Sequence, residues 1–285
     1  MVTINSGRVG DNSPTLSHVN FLLFQFKMQT SLQAQSLSKA RKRDFLACNP
    51  FPHPLTQGFF YREKMRAIHH IAPDQPFENI LEVGGGQGGL TALLYPKAQV
   101  TNIDLNPQYA QAACNQQKQV RFVCGDATDL PFESQSFDAV TMFDVLEHIP
   151  DHEKAAKEAL RVLRQGGFLL VSTPNENWRF PYYGFMKSIC PSEAEVMGEW
   201  GHVRRGYTID ELKNLIGLPC QSYATFINPL TVLCHDVAFS HLSHRQRQLF
   251  CTMLSPLTWL SYSLHQPTTV GTETASAWHK GSPKL

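Results

Sequence analysis

The sequence predicts an α/β protein built on a doubly wound, mostly parallel sheet. From Gln57 onward, short apolar segments typical of buried strands alternate with segments of helical periodicity. Because parallel strands need long crossover connections, which are usually helices, this alternation indicates helices on both faces of the sheet. The predicted strands are Ile80–Val83, Gln99–Asp104, Val120–Cys124, Phe137–Met142 and Phe168–Ser172, with two more near 221–227 and 274–278.

The helices are predicted from the spacing of apolar residues and from capping signals. An amphipathic helix begins near Phe60 and ends before Pro73. Thr208, followed three residues later by Glu211, has the pattern of a capping box at a helix start. The other predicted helices cover 90–94, 108–116 and 151–163, and about 40 residues of helical pattern separate the last two strands.

One folded domain is expected after a leader. Residues 1–56 lack periodicity and are rich in Ser, Asn and Gln, so we expect a poorly ordered leader, and Met28 is an alternative start of the protein. Residues 57–281 are expected to form a single domain. Two segments outside the predicted sheet, about 175–207 and 228–268, are expected to cap its active site.

Composition limits the class of function and the compartment. A net charge of +1 and a pI near 7.7 give no basic surface of the kind that binds nucleic acid, so no nucleic-acid partner is expected. The seven cysteines are scattered, with no C-x-x-C spacing, which favours a reducing compartment and argues against zinc or a disulfide framework. No secretion signal is recognised, and a cytoplasmic location is expected.

The segment LEVGGGQGG at 81–89 is compatible with two cofactors. Gly84-x-Gly86-x-x-Gly89 is the dinucleotide fingerprint, whereas Gly84-x-Gly86-x-Gly88 after an acidic residue is used for a cofactor without phosphates. A carboxylate at Glu82 would repel a pyrophosphate but would attract a cationic ligand such as S-adenosylmethionine. The glycines alone do not decide between the two cofactors.

Two aspartates follow later strands of the predicted sheet. Asp104 ends the second strand, about 20 residues after the first glycine, where a carboxylate can accept hydrogen bonds from ribose hydroxyls of either cofactor. Asp126 follows the third strand and could accept a hydrogen bond from the exocyclic amine of adenine. Both residues indicate adenosine binding.

The order of five segments carries a family resemblance. Five segments occur in a fixed order between about 60 and 173: ILEVGGGQGG, VTNIDLNP, FVCGDATDLPF, FDAVTMFDVLEHI and LRVLRQGGFLLVSTPN. This part of the chain resembles the class I S-adenosylmethionine-dependent methyltransferases, in particular the group that includes ubiquinone and menaquinone biosynthesis methyltransferases. The resemblance implies a seven-stranded Rossmann-like sheet whose last two strands form a hairpin, here with a helical insertion between them.

The resemblance also implies roles for residues around S-adenosylmethionine. The methionine part would lie against Glu82 and the loop glycines, the ribose against Asp104, and the adenine against the third strand end. At the fourth strand end the chain has FDVL instead of the proline-rich motif of nucleic-acid amine methylators. The cofactor-binding residues so implied are Glu82, Gly84, Gly86, Gly88, Asp104, Asp126, Ala127, Phe143 and Asp144.

Removal of a proton from a hydroxyl acceptor requires a base, and His148 is the candidate that the sequence offers. A histidine bonded to backbone in a helical turn is the alternative for this residue. No metal is expected, but Asp144, Glu147 and His148 would share one side of a helical turn and could hold Mg²⁺ or a similar ion.

A small-molecule or lipid-like acceptor, methylated on oxygen or carbon, is expected from the resemblance and from the aromatic residues dense between 178 and 200. The segment 245–264 carries Trp259 and Tyr262 after two arginines, and it could dock on a membrane interface or pack as a lid. The alternatives for the whole protein are an NAD(P)-dependent oxidoreductase and a non-catalytic module that binds S-adenosylmethionine. The sequence does not indicate an oligomeric state.

Overall fold

The computed structural model describes residues 58–281, so the expected leader at 1–56 and the alternative start Met28 lie outside the described residues. Three short 3-10 helices occur at Pro107–Gln111, Leu146–His148 and Gly184–Met186. The helices and strands are α1 (Gly58–Ile71), β1 (Asn79–Val83), α2 (Leu90–Leu94), β2 (Gln99–Asp104), β3 (Val120–Cys124), β4 (Phe137–Phe143), α3 (His152–Val162), β5 (Leu163–Pro174), α4 (Glu193–Trp200), α5 (Ile209–Ile216), β6 (Cys220–Phe226), α6 (Pro229–Ala238), α7 (His244–Leu264) and β7 (Glu273–His279).

The strands form one seven-stranded sheet in the order β3-β2-β1-β4-β5-β7-β6. Strands β1 to β5 pair in parallel, and β7 pairs antiparallel with both β5 and β6. Helices α6 and α7 lie in the chain between β6 and β7. The predicted fold class is confirmed, including the helical insertion between the last two strands.

The two faces of the sheet bury separate hydrophobic clusters, because neighbouring residues of a strand point to opposite faces. Ile80 of β1 packs in the cluster that also holds Met65 and Ile68 of α1. The next residue, Leu81, packs in the cluster that holds residues of α3 and α5. Helices therefore cover both faces, as a doubly wound sheet requires.

A third cluster lies outside the sheet and joins the two expected cap segments. Trp178, Phe180 and Val196 from the first segment pack with Val237 and Cys251 from the second. Residues before α1 do not enter this description. The two segments thus bury apolar surface against each other, next to the site described below.

Two predicted elements differ in the structure. The predicted helix at 108–116 was wrong: a 3-10 helix ends at Gln111, because the carbonyl of Tyr109 accepts from Ala112 N at 3.0 Å and from Asn115 Nδ2 at 2.8 Å, which ends the helical pattern. Strand β5 is longer than predicted and begins at Leu163, with a register shift against β4 where the turn at 165–167 was expected.

The order of the sheet reverses between β1 and β4. Strand β1 pairs with β2 on one side and with β4 on the other, so the segments that follow β1 and β4 meet at one edge. In doubly wound sheets, ligands bind in the crevice at this reversal, beyond the carboxyl ends of the strands. Gly84 follows β1 with φ +66°, and a Cβ added to it would lie 2.1 Å from Cγ2 of Val145.

We expect Gly84→Ala to destabilise the fold by about 3 kcal/mol or more, because it adds overpacking against Val145 to the strain of positive φ. Gly217→Ala is the matched control, since Gly217 has φ +69° with no atom within 4 Å of an added Cβ. The control should cost only about 1 to 2 kcal/mol. Urea unfolding measures both, and equal losses would contradict the proposed contact.

Candidate active site

The loop that follows β1, residues 84–89, is held by the end of β2. We call it the glycine loop. The Asp104 carboxylate accepts from Gly86 N at 2.9 Å through Oδ2 and from Asn106 N at 3.0 Å through Oδ1. Asn102 Nδ2 donates to the Gly86 carbonyl at 3.0 Å. The loop is therefore fixed by side chains of β2, and the contact of Asp104 with a ribose stays a prediction.

The loop glycines are required for different reasons. A Cβ on Gly86 would come no closer than 3.7 Å to Tyr109 and 3.9 Å to Asp104, so a ligand has room to approach there. A Cβ on Gly88 would lie 2.4 Å from Asn115 Oδ1. Packing against Asn115 thus explains glycine at 88, and the predicted cofactor contact of Gly88 would have to be made by its backbone.

Glu82 is buried beneath the glycine loop and lacks a full set of hydrogen-bond donors. Its side chain is 2% exposed; Oε1 accepts from Thr91 N at 3.3 Å, and Oε2 has no partner. Gln87 Oε1 and Asn102 Oδ1 are also buried without partners. Because an unpartnered buried acceptor is costly, the group is suited to a ligand that brings donors, such as an ammonium.

Burial raises the pKa of Glu82 to about 7, although hydrogen bonds from Thr91 and Gly89 act in the opposite direction. Close to neutral pH, its carboxyl group is therefore poised between the neutral and the charged form. A cation placed beside it would favour the charged form.

The predicted adenine and fourth-strand residues have distinct environments. Asp126 is exposed, and its side chain accepts a hydrogen bond from Thr128 N at 2.8 Å. It lies two residues after Cys124, the residue of β3 that pairs with Asp104 of β2. Ala127 beside it is half-buried. Phe143, in contrast, is 7% exposed and packs in the cluster below α1.

Asp144 joins β4 to the N-terminal helix. Its carboxylate accepts from Ser172 Oγ at 2.6 Å and forms an ion pair with Lys64 of α1. Burial alone would raise the pKa of Asp144, but the Lys64 ammonium outweighs burial and lowers it. The pKa of Lys64 is raised by the same pairing, against the effect of burial. Both groups are therefore charged at neutral pH.

The turn after Asp144 contains the predicted base. Arg204 fixes this turn by donating to the carbonyls of Leu146 at 2.6 Å and Ile149 at 2.7 Å. His148 Nδ1 lies 3.1 Å from the Gly201 carbonyl, and Nε2 lies 3.9 Å from Glu147 Oε1. One ring nitrogen of His148 is thus engaged with backbone, which matches the alternative considered for this residue.

A group of metal-ligand type occurs here among residues 58–281, but its membership differs from the predicted set. Ligand atoms of Glu147, His148 and His202 lie within 4.8 Å of one another. Asp144 is not in this group, and its carboxylate is paired with Lys64. One carboxylate and two imidazoles suit a transition metal better than the magnesium expected for an oxygen-ligand site.

A cavity of about 170 Å³ opens beside the Lys64–Asp144 pair. Burial raises the pKa of Glu273, which lines the cavity, to about 8, and the nearby Asp144 adds to this effect. His235 at the same cavity is kept neutral, because burial lowers its pKa to about 4. The lining residues are Phe60, Tyr61, Lys64, Asp144, Phe226, Ile227, His235, Phe239 and Glu273.

The sequence analysis missed Lys64, Glu273 and Asn102. Lys64 lies 80 positions before its partner Asp144, and no local spacing indicates that pairing. Glu273 is the first residue of β7, a strand that the sequence predicted. Its position opposite Pro174, at the carboxyl end of β5, follows only from the sheet order. Asn102 is fully buried, but strand β2 (QVTNID) carries several other polar residues, so its sequence did not single out Asn102.

The fold and the crevice define a class of protein. A seven-stranded sheet with an antiparallel β7, and with an acidic residue under a glycine loop at the β1/β4 reversal, is the arrangement of the class I methyltransferase fold. Residues 81–171 match the family model described as a methyltransferase domain.

Relatives of known name share the same region. Ubiquinone biosynthesis O-methyltransferase of Coxiella burnetii is 32% identical over 135 residues, which cover 42% of this chain and 58% of that protein. A Mycobacterium tuberculosis protein named as a probable S-adenosylmethionine-dependent methyltransferase is 29% identical over 120 residues, 42% of this chain and 44% of that protein. The match thus spans about half the length of these curated relatives.

The fold also resembles solved structures. A crystal structure of a SAM-dependent methyltransferase from Thermotoga maritima superposes with a TM-score of 0.51 and 17% identity, covering 85% of this chain and all (100%) of that one. At this identity the likeness establishes the fold alone.

Glu82→Gln should stabilise the protein increasingly as pH rises. Between pH 4.5 and about 7 the folded state keeps the Glu82 proton while the unfolded chain releases it, so wild-type stability falls with rising pH and levels off above that range. The variant lacks this loss and should gain about 3 kcal/mol relative to wild type between pH 4.5 and 8.

Denaturant unfolding at several pH values measures this difference. Glu153→Gln is the control, because that side chain is 70% exposed and should change stability little at any pH. Parallel stability curves for wild type and Glu82→Gln would show that Glu82 titrates normally in the folded protein.

Proposed function

We propose that this protein is an S-adenosylmethionine-dependent methyltransferase that methylates a ring-bearing small-molecule or lipid-like acceptor on oxygen or carbon. The observation that carries the proposal is the meeting of two features at the β1/β4 edge. One is the buried Glu82 with its unpartnered oxygen, and the other is the cavity beside Lys64 and Asp144. The family match at 81–171 supports the same activity.

The cofactor is proposed to lie across the carboxyl ends of β1 and β2. Its ammonium would supply the donors that the buried oxygens near the glycine loop lack, with Glu82 as the balancing charge. Asp104 would accept from the ribose hydroxyls, Gly86 leaves room for close approach, and Asp126 with Ala127 would contact the adenine. A pyrophosphate would place negative charge beside Glu82, so this site favours S-adenosylmethionine over a nicotinamide dinucleotide.

The acceptor is proposed to bind in the cavity of about 170 Å³, which has the volume of a small aromatic ring. Its apolar lining comes from α1, from the end of β6 and from the segment after α6. The ionisable groups of Lys64, Asp144 and Glu273 converge on the same space. A hydroxylated ring satisfies both requirements, and oxygen methylation is the reaction in the name of the Coxiella burnetii relative.

Methyl transfer to oxygen needs a proton acceptor and a stabiliser for the developing oxyanion. Lys64 remains cationic, so its role is to stabilise the oxyanion rather than to accept the proton. Glu273 lines the cavity and has a pKa of about 8, which is close to the operating pH at which a general base is most effective. His148 is the second candidate base, but it is not among the residues that line the cavity.

Two other functions are kept as alternatives. An NAD(P)-dependent oxidoreductase would use the glycine loop and Asp104 but would leave the acidic charge of Glu82 unexplained. A non-catalytic module that binds S-adenosylmethionine would use the same loop without the cavity. The Lys64–Asp144 pair beside the cavity favours a catalytic protein, because Lys64 is buried and a buried charge is costly to retain.

Calorimetric titration tests the cofactor. We expect S-adenosylhomocysteine to bind and NADH not to bind, and Asp104→Asn to weaken binding about tenfold or more by removing a charged acceptor from the ribose. Asp129→Asn is the matched control, since Asp129 is exposed outside the proposed site. Binding of NADH alone would replace the methyltransferase with the oxidoreductase.

Label transfer from methyl-labelled cofactor to polar and lipid fractions of cell extracts identifies the acceptor.

With that acceptor identified, Glu273→Gln should lower kcat about 10²-fold or more and should abolish the rise of activity with pH near 8. His148→Ala should leave kcat and the pH profile almost unchanged. The reverse pattern would assign the base to His148. A chelator should leave the turnover of both variants unchanged.

A further inference from the structure

Helix α7 exposes large apolar side chains to solvent. Among the described residues, it holds half of the exposed large hydrophobic side chains, and they lie in one continuous helix. The fractional exposure of these side chains reaches 66% at Met253 and 67% at Leu264. The six residues are Leu249, Phe250, Met253, Leu257, Leu260 and Leu264, and we call them the α7 stripe.

The α7 stripe lies on one side of the helix, opposite the packed side. Its members recur with spacings of three and four residues, which places them in a band roughly 100° wide. The residues that face inward are Cys251, Ser255, Thr258 and Tyr262. The outward side is therefore more apolar than the inward side, which reverses the usual pattern of a surface helix.

The chemistry around the stripe is basic. From Val237 to Thr272 the chain has no Asp or Glu, and it carries Arg245 and Arg247 in the first turns of α7. Arg245 is exposed, whereas Arg247 is half-buried and donates to the Ala238 carbonyl at 3.0 Å. An apolar band next to an exposed arginine, in a segment without acidic residues, is complementary to a surface that combines hydrocarbon with negative charge.

The helix also packs on the elements that line the cavity. Arg62 of α1 stacks on the rings of Trp259 at 3.9 Å and Tyr262 at 4.4 Å, and Cys251 packs in the cluster that contains residues of α6. Phe60 and Lys64 of α1 and His235 of α6 line the cavity. A surface bound by α7 would therefore lie one helix layer from the acceptor site.

We propose that α7 docks this protein on the interface of a membrane that contains anionic lipids, with the α7 stripe inserted among the headgroups. No helix among residues 58–281 is long and apolar enough to cross a membrane, so the contact lies along the surface. A second copy of the chain is the competing occupant, because the stripe has coiled-coil spacing. The positions that flank the stripe lack the paired charges that select a partner helix, so the lipid surface is favoured.

Co-sedimentation of the full chain with vesicles tests the proposal. Vesicles of phosphatidylcholine with phosphatidylglycerol should bind the wild-type protein, and a triple variant Met253→Gln, Leu257→Gln and Leu260→Gln should lose about tenfold or more of its partition coefficient. Vesicles of phosphatidylcholine alone should bind the wild-type protein more weakly, because they carry no negative charge to attract Arg245 at the start of α7.

The control is a second triple variant, Phe185→Gln, Val203→Gln and Tyr223→Gln. These side chains have exposures similar to those of the substituted α7 residues but lie elsewhere on the surface. It should bind vesicles like the wild type, and S-adenosylhomocysteine titration with circular dichroism checks that both variants fold. Absence of wild-type binding, or equal loss in both triple variants, overturns the proposal. So does a wild-type dimer that only the α7 variant converts to monomer.

Discussion

The close contact between Gly84 and Val145 is the constraint on which the site depends. It brings the segment after β1 against the segment after β4, and a single added methyl group would lie 2.1 Å from the Val145 side chain. Because of this contact, the glycine loop with Glu82 beneath it lies beside the turn that carries Asp144. The crevice above the glycine loop and the cavity beside Lys64 are therefore neighbours through the backbone, before any ligand contributes.

Charge at this edge is strongly unbalanced. Glu82, Asp144, Glu147 and Glu273 all lie near it, and Lys64 is the cation that pairs with one of them. Burial and the Asp144 charge raise the pKa of Glu147 well above its usual range, and Glu82 and Glu273 are shifted upward as well. At neutral pH, a large fraction of each of these three carboxyl groups is therefore protonated and uncharged. A cationic ligand would convert part of this cost into binding free energy, whereas an anionic one would add to it.

The sequence predicted the sheet well because the strands follow from local patterns. Strand segments such as Asn79–Val83 are mostly apolar and bounded by turn residues, and Asp104 is the last residue of its strand. The helix predicted at 108–116 failed because a side chain, Asn115, competes with the backbone for the carbonyl of Tyr109. The cavity beside Lys64 was not predictable in detail, since the pairing of Lys64 with Asp144 depends on how α1 packs across the sheet.

The sequence left two interpretations of α7 open, a lid and an interfacial helix, because it does not show which side of the helix faces inward. A lid packed over the site would turn its leucines inward, and an interfacial helix would turn them outward, but both have the same periodicity. The cation–π stacking of Arg62 on Trp259 and Tyr262 fixes which side faces α1, and it leaves Leu257 and Leu260 outside. A guanidinium stacked on aromatic rings is favourable where water is excluded. The outward orientation of the leucines therefore follows from a contact on the opposite side of the helix.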